Sequence, residues 1–599
     1  MSAPTLPALL RATAARLGPR PALRYKHRGI WHVVSWTGYL ERVRAFGLGL
    51  LDLGLGPEDR VAVLAENCPE WLYADLGTQA VGGITVGLYP TSPAAQLRYI
   101  LEHSGARFVV AGDQEQTDKV LAIAETLPAL ERILVVDWKG MRHYRDARLL
   151  AFEDVLAAGR ARAAAEPERA DKAIDQLDPG SAAIIVYTSG TTGPAKGALL
   201  SHANILTMVD AMMAVAPVTE ADSLVSYLPL CHVAERLFSV FVPLRSGCVA
   251  NFAESLATVQ ANVQEIAPTV FFGVPRIWEK MLAQIQIRIA DTTPAKRLLH
   301  RVFWALGRRA ARLDAAGGPG RRAAPLLRAI AYSGVFRAQL NQLGLRRARL
   351  CISGGAPIAP EVLEFFRTMG LRIREAYGMT ESAGLAFLNP ADRIKIGSVG
   401  LPAPHTEVRI AEDGEILLRS PSVFLGYYGD PAATAQITAG GWLHTGDVGR
   451  LDADGYLYVT DRKKDLIITA GGKNVAPQEI ENKLKFSPYV RETVVVGDRR
   501  PYVVALVQID PETVGKWALD RGIPFTTFRD LATKREVRDL IAQAVEAVNR
   551  ELSPPEQVKR FALLEKELDH DDGELTATLK VRRAAVEARF RAEIEGLYR

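Results

Sequence analysis

With 599 residues the chain is too long for a single hydrophobic core, so two or more domains are expected. Apolar residues make up 48% and charged residues 24%, an ordinary globular composition; 73 basic against 68 acidic residues leave a net charge of +5, too small at this length to mark a nucleic-acid binder. Cys68, Cys231, Cys248 and Cys351 are scattered without metal spacing and imply a reducing compartment; with no secretory leader in Met1–Arg20 and no apolar run of eighteen, a cytoplasmic protein is expected.

In chain order, Arg60 to Ala65, Arg107 to Ala111 and Arg132 to Asp137 read as short strands, and Pro69 to Val81 has helical spacing. The alternation predicts an α/β architecture with parallel strands. Residues 158–176 read as a solvated helix or linker. Ala182 to Val186 is a buried strand running into Tyr187-Thr188-Ser189-Gly190-Thr191-Thr192-Gly193-Pro194-Ala195-Lys196-Gly197, and Ser201 to Leu206 reads as the start of a helix. Strand, loop of glycines and hydroxyls, then helix suits phosphate: backbone N–H groups approach closely, hydroxyls donate, and Lys196 adds a charge. The spacing is not that of a Walker P-loop, because Lys196 precedes Gly197 and Ala198.

Residues 297–349 read as two basic amphipathic helices joined at Gly317-Gly318-Pro319-Gly320, either a solvated face or a contact with anionic lipid. Arg349 to Ser353 runs into Gly354-Gly355-Ala356-Pro357, a backbone against which a flat base could lie. Glu375 to Glu381 places an aromatic face, a hydroxyl and a carboxylate together, and Asp447 at a turn could accept ribose hydroxyls; each has an ordinary turn or core alternative. After Gly400, Glu415 to Arg419, Gly455 to Val459 and Leu466 to Thr469 predict an antiparallel subdomain. Asp461-Arg462-Lys463-Lys464-Asp465 reads as a charged, exposed junction between residues 1–463 and 464–599.

Taken together, Tyr-Thr-Ser-Gly-Thr-Thr-Gly-x-x-Lys-Gly from Tyr187, Tyr-Gly-Met-Thr-Glu from Tyr377, Thr-Gly-Asp ending at Asp447 and Asp-Arg-x-Lys-Asp from Asp461 resemble the core motifs of the adenylate-forming superfamily. That superfamily holds acyl-CoA synthetases, luciferases and peptide-synthetase adenylation domains. Leu228-Pro229-Leu230-Cys231-His232-Val233-Ala234-Glu235-Arg236, Phe272 to Lys280, Thr469 to Asn474 and Gly573 to Lys580 are similar to its long-chain fatty-acid branch; Ala577 stands where the family usually has Pro.

The resemblance implies a large N-terminal domain of α/β subdomains with a small antiparallel β subdomain, then a small mobile α/β C-terminal domain. It implies a fatty acid, ATP and coenzyme A as substrates, with Mg²⁺. Lys580, Glu381, His232 and Lys196 would act in catalysis. Thr188, Ser189, Gly190, Thr191, Thr192, Gly193 and Lys196 would hold the outer phosphates, and Thr188 and Glu381 the metal. Gly354, Gly355, Ala356 and Tyr377, with Gly378 and Thr380, would frame adenine; Asp447 and Arg462, with Lys464 nearby, would bind ribose. Gly471, Gly472 and Lys473 would serve thioester formation, and Val233 to Phe241 with Val270 to Phe272 would wall an acyl tunnel. The competing expectation is a fatty acyl-AMP ligase serving a carrier protein, disfavoured because nothing is inserted after Lys464. A homodimer and peripheral contact with the inner face of a membrane are left open.

Overall fold

The computed structural model describes residues 4–188, 194–316, 322–569, 572–576 and 580–599. Its largest sheet has eight strands. Ile84–Leu88 and Arg60–Leu64 lie at the centre, with Phe108–Ala111, Arg132–Val135 and Leu149–Ala151 continuing in parallel on one side. The central strands are buried almost throughout, which fits their mainly apolar composition, interrupted in Ile84–Leu88 by Thr85. The helix Pro69–Ala80 starts on a proline, whose fixed φ and missing N–H suit a first turn.

On the other side, Ala182–Thr188 joins in parallel, but Lys196–Ser201 folds back antiparallel to it, pairing Thr188 with Lys196. This corrects the strand–loop–helix expectation: the strand before the glycine- and hydroxyl-rich segment is followed by a second, antiparallel strand and not directly by a helix. The helix His202–Val215 begins only after the return strand, and its first turn is already capped by Ser201 and Asn204 in a reciprocal pair. Ser189, Gly190, Thr191, Thr192 and Gly193 lie outside the described residues.

A four-stranded sheet carries Ser223–Ser226 and Val249–Phe252 in parallel; a five-stranded one carries Val270–Gly273, Leu350–Ser353 and Ile373–Tyr377, also parallel. A four-stranded antiparallel sheet follows, made of Glu407–Ile410, Glu415–Arg419, Leu443–Leu451 and Leu457–Arg462. The expected strand near Leu466 does not join it. Ile467–Ile468 pairs with Asn474–Val475 in a separate two-stranded ribbon. Beyond lies a three-stranded sheet of Val490–Val496, Val504–Ile509 and Arg560–Leu563, with its own core around Val495, Val507, Val514 and Ile541.

The junction pentapeptide is not uniformly exposed. Asp461 is buried, because its carboxylate accepts from the backbone N–H of Gln478 (3.0 Å) in the first turn of Pro477–Lys485 and from that of Arg462 (2.7 Å). Burial pushes its pKa up to about 6. A helix from the last third of the chain is thus capped by the last strand of the antiparallel sheet.

Candidate active site

The motif segments converge because each follows the carboxyl end of a strand, where open α/β sheets place their ligand crevices. Thr188 ends Ala182–Thr188, Gly354 follows Leu350–Ser353, Gly378 follows Ile373–Tyr377, and Leu228 to His232 follow Ser223–Ser226. Two of the glycines are required. Gly355 has φ of +85°, and a Cβ at Gly378 would lie 2.4 Å from the Gly384 carbonyl oxygen. Gly354 is buried behind the turn, while Gly355 and Ala356 face solvent.

Two hydrogen-bonded chains shape one wall. Glu381 is buried and accepts from the Tyr427 hydroxyl at 2.7 Å; the Lys196 ammonium lies 5.1 Å from the centre of the Tyr427 ring. Burial raises the Glu381 pKa, and the Tyr427 hydrogen bond opposes the rise. Tyr427 reaches both because Gly426–Tyr427 pairs with the return strand of the hairpin, Tyr427 opposite Ala198. Thr380 is buried beside Glu381. In the second chain the Tyr377 hydroxyl donates to Asp447 at 2.6 Å, and the Arg462 guanidinium lies 3.6 Å from the same carboxylate. Burial raises the Asp447 pKa against the pull of Arg462, Tyr377, Lys580 and Lys464.

Lys580 enters this cleft from the C-terminal part of the chain. A backbone bridge between Leu575 and Val581 and reciprocal bonds between Thr576 and Lys580 hold the base of its turn; Ala577 lies outside the described residues. Crowding in the cleft and repulsion from Arg462 pull its pKa down to about 8, with Asp447 opposing, although the side chain keeps access to solvent.

His232 caps the short helix Val233–Arg236, its Nδ1 accepting from the Ala234 N–H at 3.1 Å, which leaves the proton of the neutral ring on Nε2. Burial, helped by the charge of Lys580, lowers its pKa to about 4, so the ring is neutral at pH 7. The motif that carries His232 is anchored from below. Glu235 accepts from Ser226 Oγ (2.7 Å) and from Ser239, and Arg236 pairs with Asp75 at 3.0 Å with both side chains fully buried. Asp75 also accepts from Gln79, and Arg236 stacks on Trp71 at 4.6 Å.

Phe238 stacks on Phe272, ring centres 4.5 Å apart, so the two stretches expected to wall an acyl tunnel do meet. Burial raises the Cys231 and Cys351 thiols, which leaves them poor nucleophiles. Gly471, Gly472 and Lys473 sit on the exposed turn of the ribbon, away from the contacts just described. Sequence reasoning missed Tyr427 and Asp75. An aromatic pair between Gly426 and Gly429 was a signal for Tyr427; nothing around Asp75, inside an apolar helix, separates it from a surface acid.

Comparison with known proteins fits this arrangement. Residues 10–428 match the family model of AMP-binding enzymes, and residues 464–599 match that of the AMP-binding enzyme C-terminal domain. The chain is 34% identical over 579 residues to the long-chain-fatty-acid–CoA ligase FadD15 of Mycobacterium bovis, covering 95% of this chain and 93% of that protein. It is 31% identical to the long-chain-fatty-acid–CoA ligase ACSBG1 of Homo sapiens, covering 97% and 84%. Its fold matches the anthranilate CoA ligase AuaEII, crystallised with anthranoyl-AMP, at a TM-score of 0.74 and 20% identity over 99% and 98% of the two chains. The chain belongs to the AMP-binding, adenylate-forming enzymes, in the branch that holds the long-chain-fatty-acid–CoA ligases.

Proposed function

We propose that this protein joins a long-chain fatty acid to coenzyme A through an acyl-adenylate, releasing pyrophosphate and AMP. The observation that carries the reading is the cleft in which Lys580, from the C-terminal part, faces Asp447, Arg462 and His232. In the first step a carboxylate oxygen attacks the α-phosphorus, an O–P bond forms, and the bond to pyrophosphate breaks. Anion approaches polyanion, so fixed positive charge at the point of attack is the main requirement. Lys580 supplies it at the α-phosphate, while Lys196 and the hairpin loop grip the outer phosphates. Asp447 receives the ribose hydroxyls, oriented by Tyr377 and Arg462, and Gly354 to Ala356 form the flat edge for adenine.

Glu381 and Thr188 fit a Mg²⁺ brought by ATP, since that ion needs only one or two carboxylates when phosphates supply the rest. When bound it would neutralise phosphate charge. Among the described residues there is no cluster of three or more acidic, His or Cys ligands, in keeping with a metal held largely by substrate. In the second step the coenzyme A sulfur attacks the acyl carbon, a C–S bond forms, and the C–O bond to AMP breaks. The neutral His232 ring borders this path without adding charge. Gly471 to Lys473 would serve this step after rotation about Lys464. The direct run from Lys464 into the ribbon supports coenzyme A over a carrier protein as acceptor.

The test is release of AMP and pyrophosphate with palmitate, with and without coenzyme A, followed by a series of acids from acetate to very long chains. AMP formed in step with thioester and highest with long chains supports the reading. Adenylate that accumulates unchanged by coenzyme A overturns it in favour of the acyl-AMP ligase.

A further inference from the structure

The helix Pro294–Ala316 and the helical run over Ala324–Ala331, Tyr332–Phe336 and Arg337–Leu343 pack against each other with the wrong side out for a solvated pair. Their inner sides bury Phe336 and half-bury Phe303 and Trp304; a Cβ at Gly334 would meet the Phe303 ring at 2.4 Å, so the two helices are locked in register. The outward stripe should then be polar. It instead presents Leu298 at 62% exposure, Val302 at 52% and Leu326 at 66%.

The charge beside this stripe is equally one-sided. Residues 294–343 hold ten Lys and Arg against one acid, Asp314, a surplus of nine in a chain whose net charge is five, so the rest of the molecule is net acidic. Asp314 is engaged with Arg328 and Arg372. Arg301, Arg308 and Arg312 flank the apolar stripe, exposed, and among the described residues no carboxylate pairs with them.

We infer that this helix pair is the surface by which the protein docks on an anionic lipid bilayer, with Leu298, Val302 and Leu326 entering the headgroup boundary and the flanking arginines meeting lipid phosphates. Apolar residues outward with cations at the flanks is the arrangement that binds such interfaces. A second copy of the chain is a poor occupant, because two faces each flanked by Arg301, Arg308 and Arg312 repel. No helix among the described residues is long and apolar enough to cross the membrane, so the contact lies in the interface plane.

The test uses the full chain and sedimentation with vesicles of phosphatidylcholine alone or mixed equally with phosphatidylglycerol. Binding is expected to the mixed vesicles, weakened by salt. The triple variant Leu298→Ser, Val302→Ser, Leu326→Ser and the triple variant Arg301→Gln, Arg308→Gln, Arg312→Gln should each weaken it about tenfold or more. Turnover of a short, soluble acid should be unchanged in both, which shows that they fold. Three results overturn the inference: no binding, equal binding to both vesicles, or binding untouched by either variant. It is likewise overturned if the variants instead abolish a dimer seen by light scattering.

Discussion

The wall of the cleft and the arm that brings Lys580 to it are built in opposite ways. On the wall, Glu381 is 5% exposed and the polar side chains are paired, Tyr427 to Glu381 and Tyr377 to Asp447 from strands, Asp75 to Arg236 between two helices. The arm brings its lysine into the cleft, with access to solvent kept, on a turn whose base is held by a backbone bridge and by Thr576. Its domain meets the rest through polar contacts such as Asp461 to Gln478 and Lys516 to Asp291. Electrostatic catalysis needs rigid partners where substrate is held, and a two-step ligation needs one charge that leaves between steps. On the proposed function, those needs fall to different parts of the molecule.

The largest effect should come from breaking the foundation of the wall. Burial raises the Asp75 pKa and lowers that of Arg236, and in each case the charge of the partner opposes the shift. Removing one partner leaves the other buried alone, and Asp75→Ala is expected to cost about 3–5 kcal/mol in denaturant unfolding. Both half-reactions should fall together; a change under about 1 kcal/mol would show that the pair is not structural. Lys580→Ala tests the arm. ATP–pyrophosphate exchange should drop by ~10²–10³, the scale for losing one preorganised charge at the transition state. Thioester formation from supplied acyl-adenylate should be largely spared, and equal loss of both in folded protein would refute the division of labour.

A pH profile sharpens the same comparison with less damage. The Lys580 pKa is lowered to about 8, so its charge is present below that pH and lost above it. In the free enzyme, adenylation should decline about tenfold per pH unit beyond about 8 as the protonated fraction falls. Lys580→Arg, always protonated, should move the decline upward even at reduced rate. An unmoved alkaline limb would assign it to another group.

Much of this was legible in the sequence because backbone needs leave marks. The mainly apolar runs of the parallel strands, the glycines at Gly355 and Gly378, and the order of the motifs pointed to the α/β architecture and to the segments that meet in the cleft. Pairing over distance leaves weaker marks. The return strand Lys196–Ser201 is only six residues, too short for its period to outvote the helix start beside it. Asp461 looks exposed in a charged pentapeptide, and only the distant helix it caps reveals its burial. Tyr427 left only the faint mark of an aromatic pair between two glycines, because its role depends on pairing with the hairpin 229 residues earlier in the chain, opposite Ala198.

Tyr427→Phe is the smallest change expected to register, and it isolates the wall's internal wiring. The phenyl ring keeps its face for the Lys196 ammonium, so the cation contact is retained and only the hydroxyl bond to Glu381 is lost. A single neutral donor is worth about 1 kcal/mol, which predicts a roughly fivefold loss in kcat/KM for ATP. The sign of the pH effect is fixed as well. Burial already raises the Glu381 pKa and Tyr427 holds it down, so the variant raises it further. A function that needs the carboxylate is present above that pKa and lost below it; the acid limb of the variant must therefore shift to higher pH. Added Mg²⁺ should offset part of the loss by competing with the proton for the same oxygen pair. A variant with lower activity but an unmoved acid limb would mean that Tyr427 acts through packing of Lys196 and not through Glu381.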